Sequence, residues 1–378
     1  MDIVLIYGGR SGEHEISIIS CSSVARNISD KHNVHLISIS KDGKWYKEDD
    51  SLLDEIKKNK DARLSIHADE SKRVSIVPGG GKNGAFVCGG KAIPCDIAFP
   101  VLHGTYGEDG TIQGLFEMAD VPFVGCGVLA SSSTMDKDTT KILWKNAGLP
   151  VVPSICITRA DVNDSRRYDE KIKEAVEKLH FPLFVKPCSA GSSDGASKAT
   201  NEKELSFALM EAFEWDNKVL IEKAIPAREV ECSVMGNSIT FDSALEDTLI
   251  KSYGPGEIVP RHTFYDYDAK YNDPDGADLV IPAKLDEDKI SYIKETAKKA
   301  YMAVGAAGLS RVDFFIDRDT GDIYLNEINT MPGFTSISMF PKLCGSEGID
   351  FTSLTEILFN EGIAQYNASQ KLRTSRTN

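Results

Sequence analysis

A short apolar run, Ile3-Val-Leu-Ile-Tyr7, stops at Gly8-Gly9 and gives way to a helical stretch from about Glu13. A strand that ends on a glycine pair and feeds a helix is the first half of a βαβ unit, and such units build parallel sheets with helices on their faces. The pattern recurs: a strand at 34–40 runs into a turn at Asp42-Gly43, and one at 97–102 leads directly into His103-Gly104. Strands alternating with helices make the class α/β. Residues 51–92 are polar and then Gly-rich (Gly79-Gly80-Gly81), and read as a variable insertion. A strand at 121–124 closes this first region, with a boundary near residue 125.

A second region opens with a helix over roughly 136–147, ended by Gly148 and Pro150. Phe184-Val185-Lys186 is a strand broken by Pro187. After Asn201 the residues Leu205, Ala208, Leu209, Ala212 and Phe213 recur at helical spacing, with Asn201 and Glu204 as a cap pair. Strands follow at 219–223 and 230–235. A third region holds a long loop (247–282) and a helix from Asp286 with Ile290, Ile293, Ala297, Ala300 and Tyr301 on one face. Two strands (311–316 and 323–329), a C-terminal helix over about 353–360 and a polar tail complete the chain.

Charge narrows the function. With 43 Lys+Arg against 57 Asp+Glu, the 378-residue chain carries −14. It repels nucleic acid and anionic lipid, leaving room only for a small basic pocket. No apolar run approaches the ~20 residues needed to span a bilayer. Met1-Asp2-Ile3 lacks the basic start of a secretory signal. Eight cysteines (21, 88, 95, 126, 156, 188, 232, 344) form neither a CxxC nor a Cys/His cluster, so the expectation is reduced thiols in the cytoplasm.

The sharpest chemical signal is the turn Arg318-Asp-Thr-Gly-Asp322, which makes the last two strands a β-hairpin. Centred near residue 320, it sets Asp313 opposite Glu327 and Arg311 opposite Asn329, all on one face. Opposed carboxylates repel at ~5 Å unless a cation lies between them. An all-oxygen set without His or Cys selects a hard ion such as Mg²⁺. The small-residue loop Asn329-Thr-Met-Pro-Gly-Phe-Thr-Ser336 follows at once.

A second signal is Lys186-Pro-Cys-Ser-Ala-Gly-Ser-Ser-Asp-Gly195, a low-bulk loop after a strand, suited to turning backbone N–H groups and a lysine toward an anion. It is not a Walker A loop, and G-x-x-x-x-G-K-[ST] occurs nowhere in the chain. Gly125-Cys-Gly127-Val-Leu-Ala130 spells a dinucleotide fingerprint but lies outside the first βα turn. Glu222-Lys223, with Glu229 seven residues after Glu222, suits a ribose-binding acid, although surface charge would look the same. His103, in a strand-to-helix turn, is either ligand-facing or a satisfied structural histidine, and taken alone the second reading is the better.

Together these segments resemble the D-alanine–D-alanine ligases of the ATP-grasp superfamily. The matching blocks are GGRSGEHEIS (8–17), HGTYGEDGTIQG (103–114), MDKDTTK (135–141), VKPCSAGSSDG (185–195), LIEK (220–223), TFYDYDAKY (263–271), GLSRVDFF (308–315) and NEINTMPGFTSIS (326–338). They stand in the family's order from about residue 3 to 360. The resemblance implies an α/β (α+β in the ATP-grasp part) three-domain architecture. Its parts would be a Rossmann-like domain at 1–125, a central ATP-grasp subdomain at 126–229, and a C-terminal one at 230–378 with a polar tail from about 366.

The same resemblance implies roles. Lys137 and Lys186 would contact ATP phosphates, Glu222 and Lys223 lie along adenine, Glu229 take the ribose, and Lys270 reach the transferring phosphate. Asp313, Glu327 and Asn329 would hold two Mg²⁺ ions, with Mn²⁺ as a substitute. Glu15 would hold the ammonium of the first D-alanine through a network with Ser192 and Tyr271. Arg311, Gly333 and Ser338 would position the second substrate and the oxyanion. His103 counts among the substrate-binding candidates, and Met339 closes the acceptor pocket. Ala190 stands where the family often has Glu, and Asp194 where a small apolar residue is usual. An acid there repels nucleotide unless it points away. D-alanine and ATP are the implied small-molecule partners, and a homodimer the implied assembly. Relatives joining D-serine or D-lactate are the alternative.

Overall fold

The computed structural model describes residues 1–240, 249–261 and 276–376. Its first sheet has the order Trp45–Lys47, Asn33–Ile39, Asp2–Gly8, Ile97–Pro100. The central strand pairs in parallel with both neighbours, and only Trp45–Lys47 runs antiparallel. Ile3 through Tyr7 are fully buried, as a parallel strand covered on both faces requires. The helix His14–Asn27 follows directly after the Gly8-Gly9 turn. The stretch read as an insertion is not structureless. It holds the helix Leu52–Lys58 and a small antiparallel sheet of Val74–Ile76, Phe86–Cys88 and Lys91–Ile93. Strands of three residues are too short for alternation to register, which is why composition hid them.

A second, antiparallel sheet has the order Ser197–Ala199, Leu183–Pro187, Lys218–Lys223, Ser154–Thr158. The helix Glu202–Trp215 packs on it with the five expected residues buried, Leu205 to Phe213. Asn201 accepts the Glu204 N–H at 3.0 Å, and the Glu204 carboxylate reaches back to the Thr200 N–H at 2.7 Å.

The third sheet has five antiparallel strands in the order Ala277–Val280, Lys251–Pro260, Ala227–Asn237, Ala307–Asp317, Ile323–Asn329. The loop expected across 247–282 therefore carries two strands in its described part. Gly254, Pro255 and Gly256 break the alternation that would have revealed the longer one. The helix Glu287–Ala303 covers one face through Ile293, Ala297, Ala300 and Tyr301. At the C-terminus the chain forms two helices, Met339–Ser346 and Phe351–Ser369. The tail expected from about 366 starts later, because Tyr366 and Gln370 hydrogen-bond Asp120 at 2.9 and 2.8 Å. Phe334 and Phe359 pack edge-on against Phe99, so the first sheet and the chain's end share one core. Among the described residues, no helix is long and apolar enough to cross a membrane.

One buried group in this core carries a stability prediction. Glu361 is 1% exposed; Asn237 donates to its Oε1 at 2.8 Å, while Oε2 has no partner among the described residues. Burial pushes its carboxyl up to about 7, against the pull of the Asn237 hydrogen bond. A raised carboxyl pKa means the fold favours the protonated form. That stability is full below the unfolded value near 4.5 and is lost as pH rises through about 7. Glu361→Gln keeps an acceptor for Asn237 and cannot ionise. Its melting temperature should gain on the wild type between pH 5.5 and pH 8, by the equivalent of ~2 kcal/mol. A difference that stays flat with pH would mean Glu361 is not the titrating group.

Candidate active site

The cleft lies between three of the four sheets, and its floor is the hairpin of Ala307–Asp317 and Ile323–Asn329. Near the turn, Ile316 pairs with Ile323 and Phe314 with Leu325. Beyond it, Asp313 pairs with Glu327 and Arg311 with Asn329, so the register shifts by one at Asn326. Without this bulge Asp313 would face Asn326, and Glu327 would turn to the other side of the sheet. The expected pairing of the two acids thus depends on one extra residue. Asn326 is itself used: Lys186 Nζ donates to its Oδ1 at 3.0 Å.

Arg311 grips Asp313 with both arms, Nε to Oδ1 at 2.7 Å and Nη2 to Oδ2 at 2.6 Å. Asn329 donates to Asp313 Oδ2 at 3.1 Å, and Glu231 Oε2 lies 3.1 Å from Arg311 Nε. A cation, the guanidinium, already compensates Asp313, and Glu231 gives Arg311 a second carboxylate to keep if another cation takes the first. Asp313, Glu327 and the Asn329 amide oxygen fit a hard divalent ion on this ground. No group of three or more His, Cys, Asp or Glu able to hold a metal occurs among the described residues, so Asn329 is needed to complete the set.

The second wall carries the lysines. Asp136 caps the helix Lys137–Asn146 by accepting the Thr139 N–H at 2.8 Å, and Lys218 clamps Asp136 and Asp138 at 3.0 and 2.9 Å. Lys137 Nζ donates to the Ala190 carbonyl at 2.7 Å and lies 3.7 Å from Glu327 Oε2. Ala190 therefore engages Lys137 through its backbone carbonyl, a contact that does not use its side chain. Ser192 and Ser193 both have φ near +60°, and a Cβ on Gly195 would come within 2.5 Å of Trp215. Asp194 turns toward the N-terminal turn, where a Cβ on Gly12 would stand 3.9 Å from its Oδ2. Burial, then the charge of Glu13, raises its carboxyl pKa. It does not line the cleft.

The third wall corrects the sequence reading. Glu15 is not brought to the cleft: its side chain is 56% exposed and paired with Lys41, whose hydrogen bond holds the carboxyl below its usual range. The carboxylate that enters is Glu13, accepting from Ser192 Oγ at 2.6 Å. Glu13 stands at the N-cap, outside the helix's first turn, while Glu15 lies within that turn, so the two acids leave the chain in different directions. Gly104 and Gly191 line this approach; a Cβ on either would stand 2.8 or 3.2 Å from Glu13 Oε2.

His103 lines the cleft with both ring nitrogens engaged, Nδ1 with the Met331 carbonyl at 2.9 Å and Nε2 with Ser20 Oγ at 3.0 Å. Burial lowers its pKa, so the neutral ring donates from Nδ1. It ties the first sheet to the 329–338 loop. Glu108, absent from the sequence reading although inside a quoted block, does the same by accepting the Gly104 and Met331 N–H groups at 2.9 and 3.1 Å. Burial and the charge of Glu13 push its carboxyl up to about 8.

Gly333 lines the cleft, and Ser338 packs against it: a Cβ on Gly333 would stand 2.7 Å from Ser338 Oγ. Met339 is not at the cleft. It begins a helix and is 4% exposed in the core, its sulfur under Gly256. Glu222 is not on a surface either; its carboxylate is buried between Lys141 and Lys186, while its neighbour Lys223 is exposed. Glu229 stands in the strand Ala227–Asn237, opposite Ile258 and Phe315. Lys270 and Tyr271 lie outside the described residues.

Residues 2–126 match the family model described as D-ala D-ala ligase N-terminus, and residues 143–360 the one described as D-ala D-ala ligase C-terminus. A D-alanine--D-alanine ligase of Treponema denticola is 52% identical over 376 residues, covering 100% of both chains. The D-alanine-D-alanine ligase structure from Coxiella burnetii is similar at a TM-score of 0.80 and 30% identity, covering 98% of this chain and 96% of its own. The VanG D-Ala:D-Ser ligase from Enterococcus faecalis gives a TM-score of 0.78 at 34% identity, covering 97% and 99%.

Proposed function

Because the chain belongs to the D-alanine–D-alanine ligase family, we propose that this cleft joins two D-alanine molecules at the expense of ATP, in two steps. The ammonium of the first D-alanine rests on Glu13, which Ser192 holds in place. Its carboxylate attacks the γ-phosphate of ATP, giving D-alanyl phosphate and ADP. The amine of the second D-alanine then adds to that carbonyl, and phosphate leaves as the peptide bond forms. Lys137 and Lys186 offset the phosphate charge, and Arg311 with the Gly333 N–H steadies the oxyanion. Mg²⁺ on Asp313, Glu327 and Asn329 supplies further charge neutralisation when bound. The loop at 187–195 is read as part of the cover that keeps water from the acyl phosphate.

One observation carries the reading: a carboxylate pole at Glu13 and a cationic pole at Lys137 face each other across one cleft, bridged by the 188–195 loop that touches both. That arrangement suits a zwitterion at one end and a polyphosphate at the other. The acceptor is assigned as D-alanine on the strength of the relatives, since Met339 is buried away from the cleft. Phosphate release from Mg-ATP with D-alanine as sole amino acid, followed by mass spectrometry, should give D-alanyl-D-alanine. Turnover only after D-serine or D-lactate is added would move the acceptor assignment to the alternative. A cytoplasmic homodimer supplying peptidoglycan synthesis, divided at about residues 125 and 229, completes the proposal.

A further inference from the structure

The block 135–141 ends in a lysine to which the sequence gives no role. Lys141 lies one helical turn after Lys137 but points inward, 1% exposed, its Nζ 2.6 Å from Glu222 Oε1 and 3.2 Å from the Val152 carbonyl. The other oxygen of Glu222 takes Lys186 at 2.9 Å, and Lys186 also donates to Asn326. Two ammoniums share one buried carboxylate, one on each oxygen. The cluster is left with an excess positive charge, and Lys186 keeps one N–H free of these two partners. We propose that Lys141 is a positioning residue for ATP: by taking half of Glu222, it prevents that carboxylate from neutralising Lys186 and leaves the Lys186 ammonium available to a phosphate.

The physics is a competition. A buried carboxylate stripped of one cation does not go uncompensated; it draws wholly on the cation that remains. In Lys141→Met, which keeps the stem and loses the charge, Glu222 becomes the rival of the nucleotide for Lys186. The inference rests on the ligase reading and refines its phosphate pole.

Steady-state kinetics on the full chain test it, with ATP and D-alanine varied separately. Lys141→Met should raise KM for ATP about tenfold or more, with KM for D-alanine unchanged. Adding Glu222→Gln removes the rival charge and should bring KM for ATP back to within about threefold of wild type. A Lys141→Met enzyme that loses only kcat, with KM for ATP unmoved, would assign the lysine a merely structural role. Failure of the double variant to recover would overturn the proposal equally. If the single variant does not fold, the double variant decides alone, since it keeps the net charge of the wild-type cluster and leaves Lys186 on Asn326: a tenfold rise in its KM for ATP sinks the idea. A wild type that neither binds ATP nor releases phosphate would instead bring down the ligase reading, and this inference with it.

Discussion

Glu327→Ala should lose turnover by about a thousandfold while its melting temperature stays within a few degrees of wild type. Glu327 faces Asp313 across the hairpin, lies 3.7 Å from Lys137, and is partly exposed at 28%, so little packing depends on it. In the proposed reaction its charge would complete the oxygen set for a divalent ion and hold Lys137 toward the phosphate. Asp322→Ala, an acid in the turn of the same hairpin, is the matched control and should leave activity within about twofold. Phosphate release at saturating ATP and D-alanine, with circular dichroism melts alongside, reads both. A Glu327→Ala enzyme retaining more than a tenth of wild-type turnover would remove the residue from the metal site.

The second large effect separates two glutamates only two positions apart. Glu13→Gln should cut kcat/KM for D-alanine by about a hundredfold, since it removes the charge facing the ammonium and weakens the bond from Ser192. Glu15→Gln should change it less than about twofold, because an exposed pair with Lys41 contributes little. Should the two variants exchange these outcomes, the assignment drawn from the family pattern alone was the correct one.

That contrast marks where the sequence stops being readable. Periodicity located the helix at 202–215, its five buried residues and its cap, because a long amphipathic element advertises itself. The hairpin acids were legible from a single turn, yet their pairing needs a bulge at Asn326 that no spacing rule announces. Glu13 against Glu15 is a question of where the first turn begins, a detail of one residue. Glu108 and Lys141 lay inside recognisable blocks but act from burial, and a buried charge looks in sequence like a solvated one. Short strands at 74–93, and the strand interrupted by Gly254-Pro255-Gly256, fail for the opposite reason: there is too little pattern to count.

The packing of Phe99 against Phe334 and Phe359 also has a consequence for biosynthesis. These aromatic rings are separated by 235 and 260 positions along the chain (334 − 99 and 359 − 99). At ~5–20 residues per second, a ribosome delivers the last of them roughly 13–50 s after the first. Throughout that interval the apolar face of the first sheet waits for a cover still being translated. The nascent N-terminal third therefore presents this apolar surface to chaperones and to self-association, and a truncation before residue 334 removes both rings that cover Phe99.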